Sequence, residues 1–181
     1  MQVLTAPIFD LGDYGNVKVF LAGGITNCKT WQQDVIERLE KVPDLDYLTV
    51  YNPRRDNFPI DDPNASYEQI KWEFDRLQIM DIFTMFFAGG DSDQPICLYE
   101  LGRNLLTMFV KYPQEYTDRL VITCDSNYKR KQDVVIQTGL ALGDGVGNPV
   151  FCSEDYDALI SHHVDSIVNA YRKIIEKGKK Q

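Results

Sequence analysis

The sequence predicts an α/β protein built on an open parallel sheet with helices on both faces. Three observations lead there. Between residues 17 and 124, short apolar runs alternate with longer segments at helical spacing, in the order strand, helix, strand, helix, strand, helix, strand. Residues 82–87 (IFTMFF) are apolar without alternation, as in a strand covered on both faces. The segments after the strand candidates are rich in Gly, Asn, Asp and Pro, which is turn chemistry.

In chain order, residues 17–22 (VKVFLA) read as a strand that ends in Gly23-Gly24. A helix over about 30–41 follows, with Trp31, Val35, Ile36 and Leu39 on one side. Residues 46–51 (DYLTVY) form a second strand, and 52–65, with three prolines and no periodicity, a long loop. Ser66 and Gln69 have the spacing of a capping box that opens a helix to about Met80. After the buried strand 82–87 come a loop over 88–95 and a helix over about 97–110. Residues 119–124 (RLVITC) are the fourth strand, and 134–137 (VVIQ) suit a short fifth. Residues 139–149 hold four glycines and read as a loop, and Ser153 caps a last helix to about Lys177.

The 181 residues fit one domain, 1–181. Hydrophobic residues at 44% and charged residues at 25% are ordinary for a globular protein. No apolar run is long enough to span a bilayer and no leader pattern opens the sequence, so no membrane association is expected. The four cysteines form no CxxC pair and the two histidines are adjacent, so neither a metal site nor a disulfide framework is expected. A cytoplasmic location is the expectation. The net charge of −8 argues against nucleic acid as a partner. The basic run 173–180 reads as a solvated helix end.

In open parallel sheets, ligands sit beyond the carboxyl ends of the strands. The chemistry of an enzyme on this fold therefore belongs in the loops after strands. The first, AGGITN, turns a strand into a helix at Gly23, Gly24 and Ile25, where backbone amides can meet a ligand; a plain tight turn explains it too. It matches neither GxGxxG nor a Walker loop, so no cofactor is expected. The second opens Asn52-Pro53-Arg54-Arg55, suited to a polar ligand or to pairing with Asp56, Asp61 and Asp62. The third leads into PICLYELGRN, which sets Glu100 in the first turn of a helix. There the helix dipole favours a carboxylate in any protein, and also keeps ionised one that acts as a nucleophile. Glu73 shares a helix side with Gln69 and Leu77, as a surface acid or a second active-site carboxylate. Asp81 starts a strand at its amino end, away from the site, and is assigned a structural role.

The string VFLAGGIT with Trp31, then YNPRR, IKWE, the buried DIF-type strand and PICLYELGR resembles the nucleoside 2-deoxyribosyltransferase family, in its AGGI and NPRR branch. The matches are in order and cover some two-thirds of the chain, from Val17 to about Arg130. The resemblance implies a flavodoxin-like three-layer sandwich with a central parallel sheet. It implies a retaining double displacement in which Glu100 attacks C1′ of a 2′-deoxynucleoside, the base leaves, and a second base or water releases the sugar. Glu73 would assist the leaving base. Gly23, Gly24, Ile25, Asn52, Arg54 and Trp72 would contact base or sugar, and Asp93 would hold the sugar hydroxyls. Nucleosides and free nucleobases would be the partners. Family members form oligomers that share sites between subunits, so a homo-oligomer is expected, with Asn127, Tyr128 and Arg130 as the segment lent to a neighbour.

Two other functions compete with base exchange. One is hydrolysis of the N-glycosidic bond of nucleosides or nucleoside 5′-monophosphates, as in close relatives of the family. The other is binding of a nucleotide derivative without turnover, against which the presence of both Glu73 and Glu100 argues.

Overall fold

In the computed structural model the described residues are 1–8, 16–59, 61–143 and 147–179. They hold β1 (Gln2–Thr5), β2 (Val17–Gly23), α1 (Trp31–Leu39), β3 (Leu48–Asn52), α2 (Ala65–Ile79), β4 (Ile82–Phe87) and α3 (Pro95–Lys111). A 3₁₀ turn (Tyr116–Arg119) then precedes β5 (Leu120–Asp125), α4 (Lys131–Leu142), β6 (Val150–Ser153) and α5 (Tyr156–Gly178). All strand pairs are parallel, in the order β1-β3-β2-β4-β5-β6. Without the edge strand β1 this is flavodoxin order, and the fold is a flavodoxin-like three-layer sandwich.

The alternation of side chains along each strand builds two cores, one on each face. Val19 and Leu21 of β2 and Phe86 of β4 pack with Trp31, Val35 and Leu39 of α1 and Leu159, Val164 and Ile167 of α5. Phe20 and Ala22 of β2 and Phe83, Met85 and Phe87 of β4 pack on the other side with Trp72 and Leu77 of α2 and Cys97, Leu101 and Leu105 of α3. The chain leaves β2 towards β3 on one side and returns to β4 on the other. The carboxyl ends of β2 and β4 therefore splay apart and leave a crevice.

Four local expectations need correction. Residues 134–137 are not a strand: they lie inside α4, where Val134 and Thr138 are buried one turn apart while Ile136 and Leu140 face outward. Helical burial of alternate turns outweighs the β-branched composition, and the sixth strand is 150–153 instead. Gly139 likewise sits within α4 rather than in a loop. Ser66 does not cap α2, which starts one residue earlier behind Asn64, and the Gln69 side chain is spent elsewhere. Asp155 caps α5 by accepting from the backbone N–H of Asp157 and Ala158, while Ser153 Oγ accepts from Asp155 N. Strand β1, of four residues, has no counterpart among the expected elements. Ile60, residues 144–146 and Lys180, which belong to the second loop, the glycine-rich stretch and the basic run, lie outside the described residues. Among the described residues no helix is long and apolar enough to cross a membrane.

Candidate active site

The crevice between β2 and β4 holds a cavity of about 360 Å³. The end of β2 and its loop supply Ala22, Gly23, Gly24, Ile25 and Thr26; the loop after β4 and the start of α3 supply residues 92–97; Glu73 comes from α2 and Glu100 from α3. Thus the strand-end rule and the two carboxylates meet at one place.

The glycines are set by packing. A Cβ on Gly23 would stand 2.4 Å from the carbonyl oxygen of Phe86, and one on Gly24 would stand 2.4 Å from Oε1 of Gln94. Gln94, with φ of 46°, folds its buried amide back: Nε2 donates to Ala88 O (2.7 Å) and Oε1 accepts from Ala88 N (3.1 Å). That clamp closes the loop after β4, and Trp31 Nε1 donates to Gly24 O at 2.9 Å to hold the loop after β2. Gln94 escaped the sequence reading because nothing in the sequence marks a glutamine for positive φ.

Arg54 is a brace, not an open anion receptor. Its Nε donates to Gln32 Oε1 (2.8 Å) and its Nη2 to the carbonyls of Ile25 (3.1 Å) and Lys29 (2.9 Å). It thereby fixes the loop that forms the cavity wall. Asn52 accepts from Arg54 N through Oδ1 and shapes the same turn without lining the cavity. Trp72 is fully buried one layer back: its ring packs on Phe20 and Tyr51, and its Nε1 donates to Ile8 O. Its indole supports the wall through Phe20 rather than lining the cavity.

Glu73 Oε1 accepts a 2.7 Å hydrogen bond from Gln69 Nε2, which also donates to Pro53 O at 2.7 Å. Burial pushes the Glu73 carboxyl up, and this bond partly offsets it. The Glu100 side chain makes no hydrogen bond among the described residues. Burial first, then the Glu73 charge, push Glu100 up to about 7, against the pull of Arg103. This overturns the expectation that a first-turn dipole holds Glu100 low. Helix α3 begins at Pro95, so Glu100 lies in the second turn, beyond the free amides where the dipole acts. Cys97, on the same wall, is pushed up to about 12 by burial and stays a thiol.

Asp93 lines the cavity and pairs with Lys129 at 2.7 Å, which holds its carboxyl below the usual range. Tyr128 is buried, stacks on Phe87, and donates from its hydroxyl to Asp93 O at 2.8 Å. It anchors its own loop. Asn127 lies on a separate cavity beside Lys29, Gly89 and Tyr156, and Arg130 pairs with Asp133 on the surface. Neither reaches the main cavity.

No curated protein matches the chain. A family model described as nucleoside 2-deoxyribosyltransferase-like matches residues 16–107, a span that takes in all the residues lining the cavity. The same span runs from β2 into α3 and so covers both sides of the crevice. The chain belongs to the nucleoside 2-deoxyribosyltransferase-like family.

Proposed function

We propose that the protein exchanges bases on 2′-deoxynucleosides through a covalent glutamyl-sugar intermediate. The observation that carries this reading is the meeting of Glu73 and Glu100 in one cavity at the sheet's switch point. Glu100, free of hydrogen bonds, attacks C1′; the C1′–O bond forms as the C1′–N bond breaks, and the electron pair leaves with the base. Glu73, in the same cavity, passes a proton to the departing base. A second base then takes the sugar by the reverse path.

Gly23, Gly24 and Ile25 form the wall against the substrate, with Asp93 at the rim for sugar hydroxyls. The reading includes a homo-oligomer. Exposed Ile70, Phe74, Leu106, Val110, Ile136 and Leu140 on α2, α3 and α4 offer apolar surface for a second copy.

The experiment is incubation with deoxyinosine and adenine, followed by chromatography. Deoxyadenosine is the expected product, and Glu100→Gln should abolish it while the protein stays folded. A Glu100→Gln protein with near-normal turnover would remove the nucleophile from the reading.

A further inference from the structure

A second cavity, of about 340 Å³, adjoins the first and shares Ile25, Thr26, Pro53 and Glu73 with it; Arg55, Phe58 and Gln69 complete its wall. Two polar atoms of that wall are buried and unpaired among the described residues: Nη1 of Arg55 and Oε1 of Gln69. A buried donor and a buried acceptor each lose free energy when unmet, so such atoms are normally paired.

The orientation of the Gln69 amide is fixed by its neighbours. The two atoms within 2.7 Å of Nε2, Glu73 Oε1 and Pro53 O, are acceptors, so Nε2 must be the donor and Oε1 the open acceptor. The Arg55 guanidinium lies 5.4 Å from the centre of the half-exposed Phe58 ring, which gives the cavity a flat apolar side. An unpaired donor, an unpaired acceptor and an aromatic face on one wall, beside Glu73, match the edge and plane of a heterocyclic base.

Building on the deoxyribosyl-transfer reading, we propose that Arg55 and Gln69 read the nucleobase edge and favour bases with a carbonyl oxygen next to a ring N–H. Gln69 Oε1 accepts from the ring N–H and Arg55 donates to the carbonyl. The reason for the preference lies in the departing electron pair. As the C1′–N bond breaks, the pair enters the base ring and, in an oxo base, spreads onto the carbonyl oxygen. A fixed guanidinium beside that oxygen stabilises the charge where it develops. In the same pose an amino base such as adenine turns its amino donor to the guanidinium and a bare ring nitrogen to Gln69 Oε1, so both contacts are lost, and it has no carbonyl oxygen to carry the charge. A phosphate is the poorer occupant, because the Glu73 carboxylate and Gln69 Oε1 stand on the same wall as acceptors.

The test compares wild type, Arg55→Met and Arg55→Lys. Binding of free hypoxanthine and free adenine is measured by calorimetry, and kcat/KM is measured for deoxyinosine and deoxyadenosine. Wild type should bind hypoxanthine more tightly. Arg55→Met should weaken hypoxanthine binding about ten- to hundredfold and adenine binding less than about threefold, with the same split in kcat/KM. Arg55→Lys, which keeps the charge without the planar fork, should recover part of the loss and stands in if the Met variant does not fold. Equal losses for both bases, or a hypoxanthine preference that survives in Arg55→Met, overturns the proposal. So does a loss confined to nucleoside 5′-monophosphates, which makes Arg55 a phosphate ligand. Arg55-dependent base binding in a protein that cleaves no deoxynucleoside overturns the transfer reading instead and leaves the base subsite standing.

Discussion

Glu73 and Glu100 reach one cavity from two different helices, and the charge of Glu73 is, after burial, the cause that pushes Glu100 up to about 7. A nucleophile must be ionised, so the acidic limb of kcat/KM should lie near pH 7. Glu73→Gln removes the repelling charge, so the acidic limb should move to lower pH even as turnover falls. A pH–rate profile of the two proteins checks this. An acidic limb that stays in place in Glu73→Gln would uncouple the two carboxylates.

The same shift makes a prediction about stability, opposite in sign to that for an ion-paired acid. In the unfolded chain Glu100 ionises near its ordinary value of 4.5; in the fold it does so near 7. Its contribution to stability is therefore full below about 4.5 and lost as pH rises through about 7. Glu100→Gln should melt at the same temperature as wild type near pH 4.5 and above it near pH 8. The gain should be on the order of 1 kcal/mol, since the open cleft screens part of the effect. Calorimetry at the two pH values decides, and a variant that is less stable at pH 8 contradicts the burial argument.

Asp81 is an acid at the other end of the sheet. It sits at the amino end of β4, where Oδ2 accepts from Lys18 N (3.0 Å) and Oδ1 from the Tyr112 hydroxyl (2.7 Å), while Arg119 Nη1 donates to its backbone carbonyl. Asp81→Ala should cost about 1–3 kcal/mol in denaturant melts, because a half-buried backbone amide and a phenol lose their acceptor. Its kcat should stay within about twofold of wild type. A collapse of kcat in a folded Asp81→Ala protein would place catalysis at the wrong end of the sheet.

The behaviour of these acids also marks what was legible in advance. Strand polarity is written in the order of apolar runs, so the carboxyl-end loops and the structural place of Asp81 could be read from the sequence. So could the shared helix side of Gln69 and Glu73, which the structure joins by a hydrogen bond. The start of α3 was not legible: Pro95 sits two residues before the expected boundary, and that difference moves Glu100 out of the dipole's reach. Nor were the fates of Arg54 and Trp72. An arginine after a strand looks the same whether it meets a ligand or four oxygens of neighbouring segments. Only the packing of distant segments distinguishes the two.

Arg54 supplies a prediction of its own. With its guanidinium spread over the loop at residues 25–29, Arg54→Ala should loosen the cavity wall rather than remove a substrate contact. KM should rise about tenfold or more, amide exchange should quicken at residues 25–29, and Arg54→Lys should rescue little, because one ammonium cannot span those carbonyls. Full rescue by lysine would instead assign Arg54 a simple charge role.

The covalent intermediate has two fates. Transfer and hydrolysis share the first half; they part when base or water reaches C1′. A transferase must hold a second base in the first one's place and keep water out for as long as exchange takes. The cavity favours this: Phe20, Ala22, Ile25, Pro53 and Ile96 give it an apolar lining, and the adjoining cavity adds Phe58. A hydrolase of 5′-monophosphates needs instead a cationic nest for a dianion. Arg54 is engaged with loop carbonyls and Lys129 with Asp93, and Arg55, whose Nη1 is unpaired, shares its wall with Glu73. The carboxylates Glu73 and Glu100 stand within the cavity and would repel the phosphate at short range. Thymidine or deoxyinosine supplied with adenine should therefore give deoxyadenosine, with free deoxyribose forming slowly when no acceptor is present. Free sugar released at one rate with or without adenine would make the protein a hydrolase. A clear preference for the 5′-monophosphate would mean that the phosphate binds away from both carboxylates.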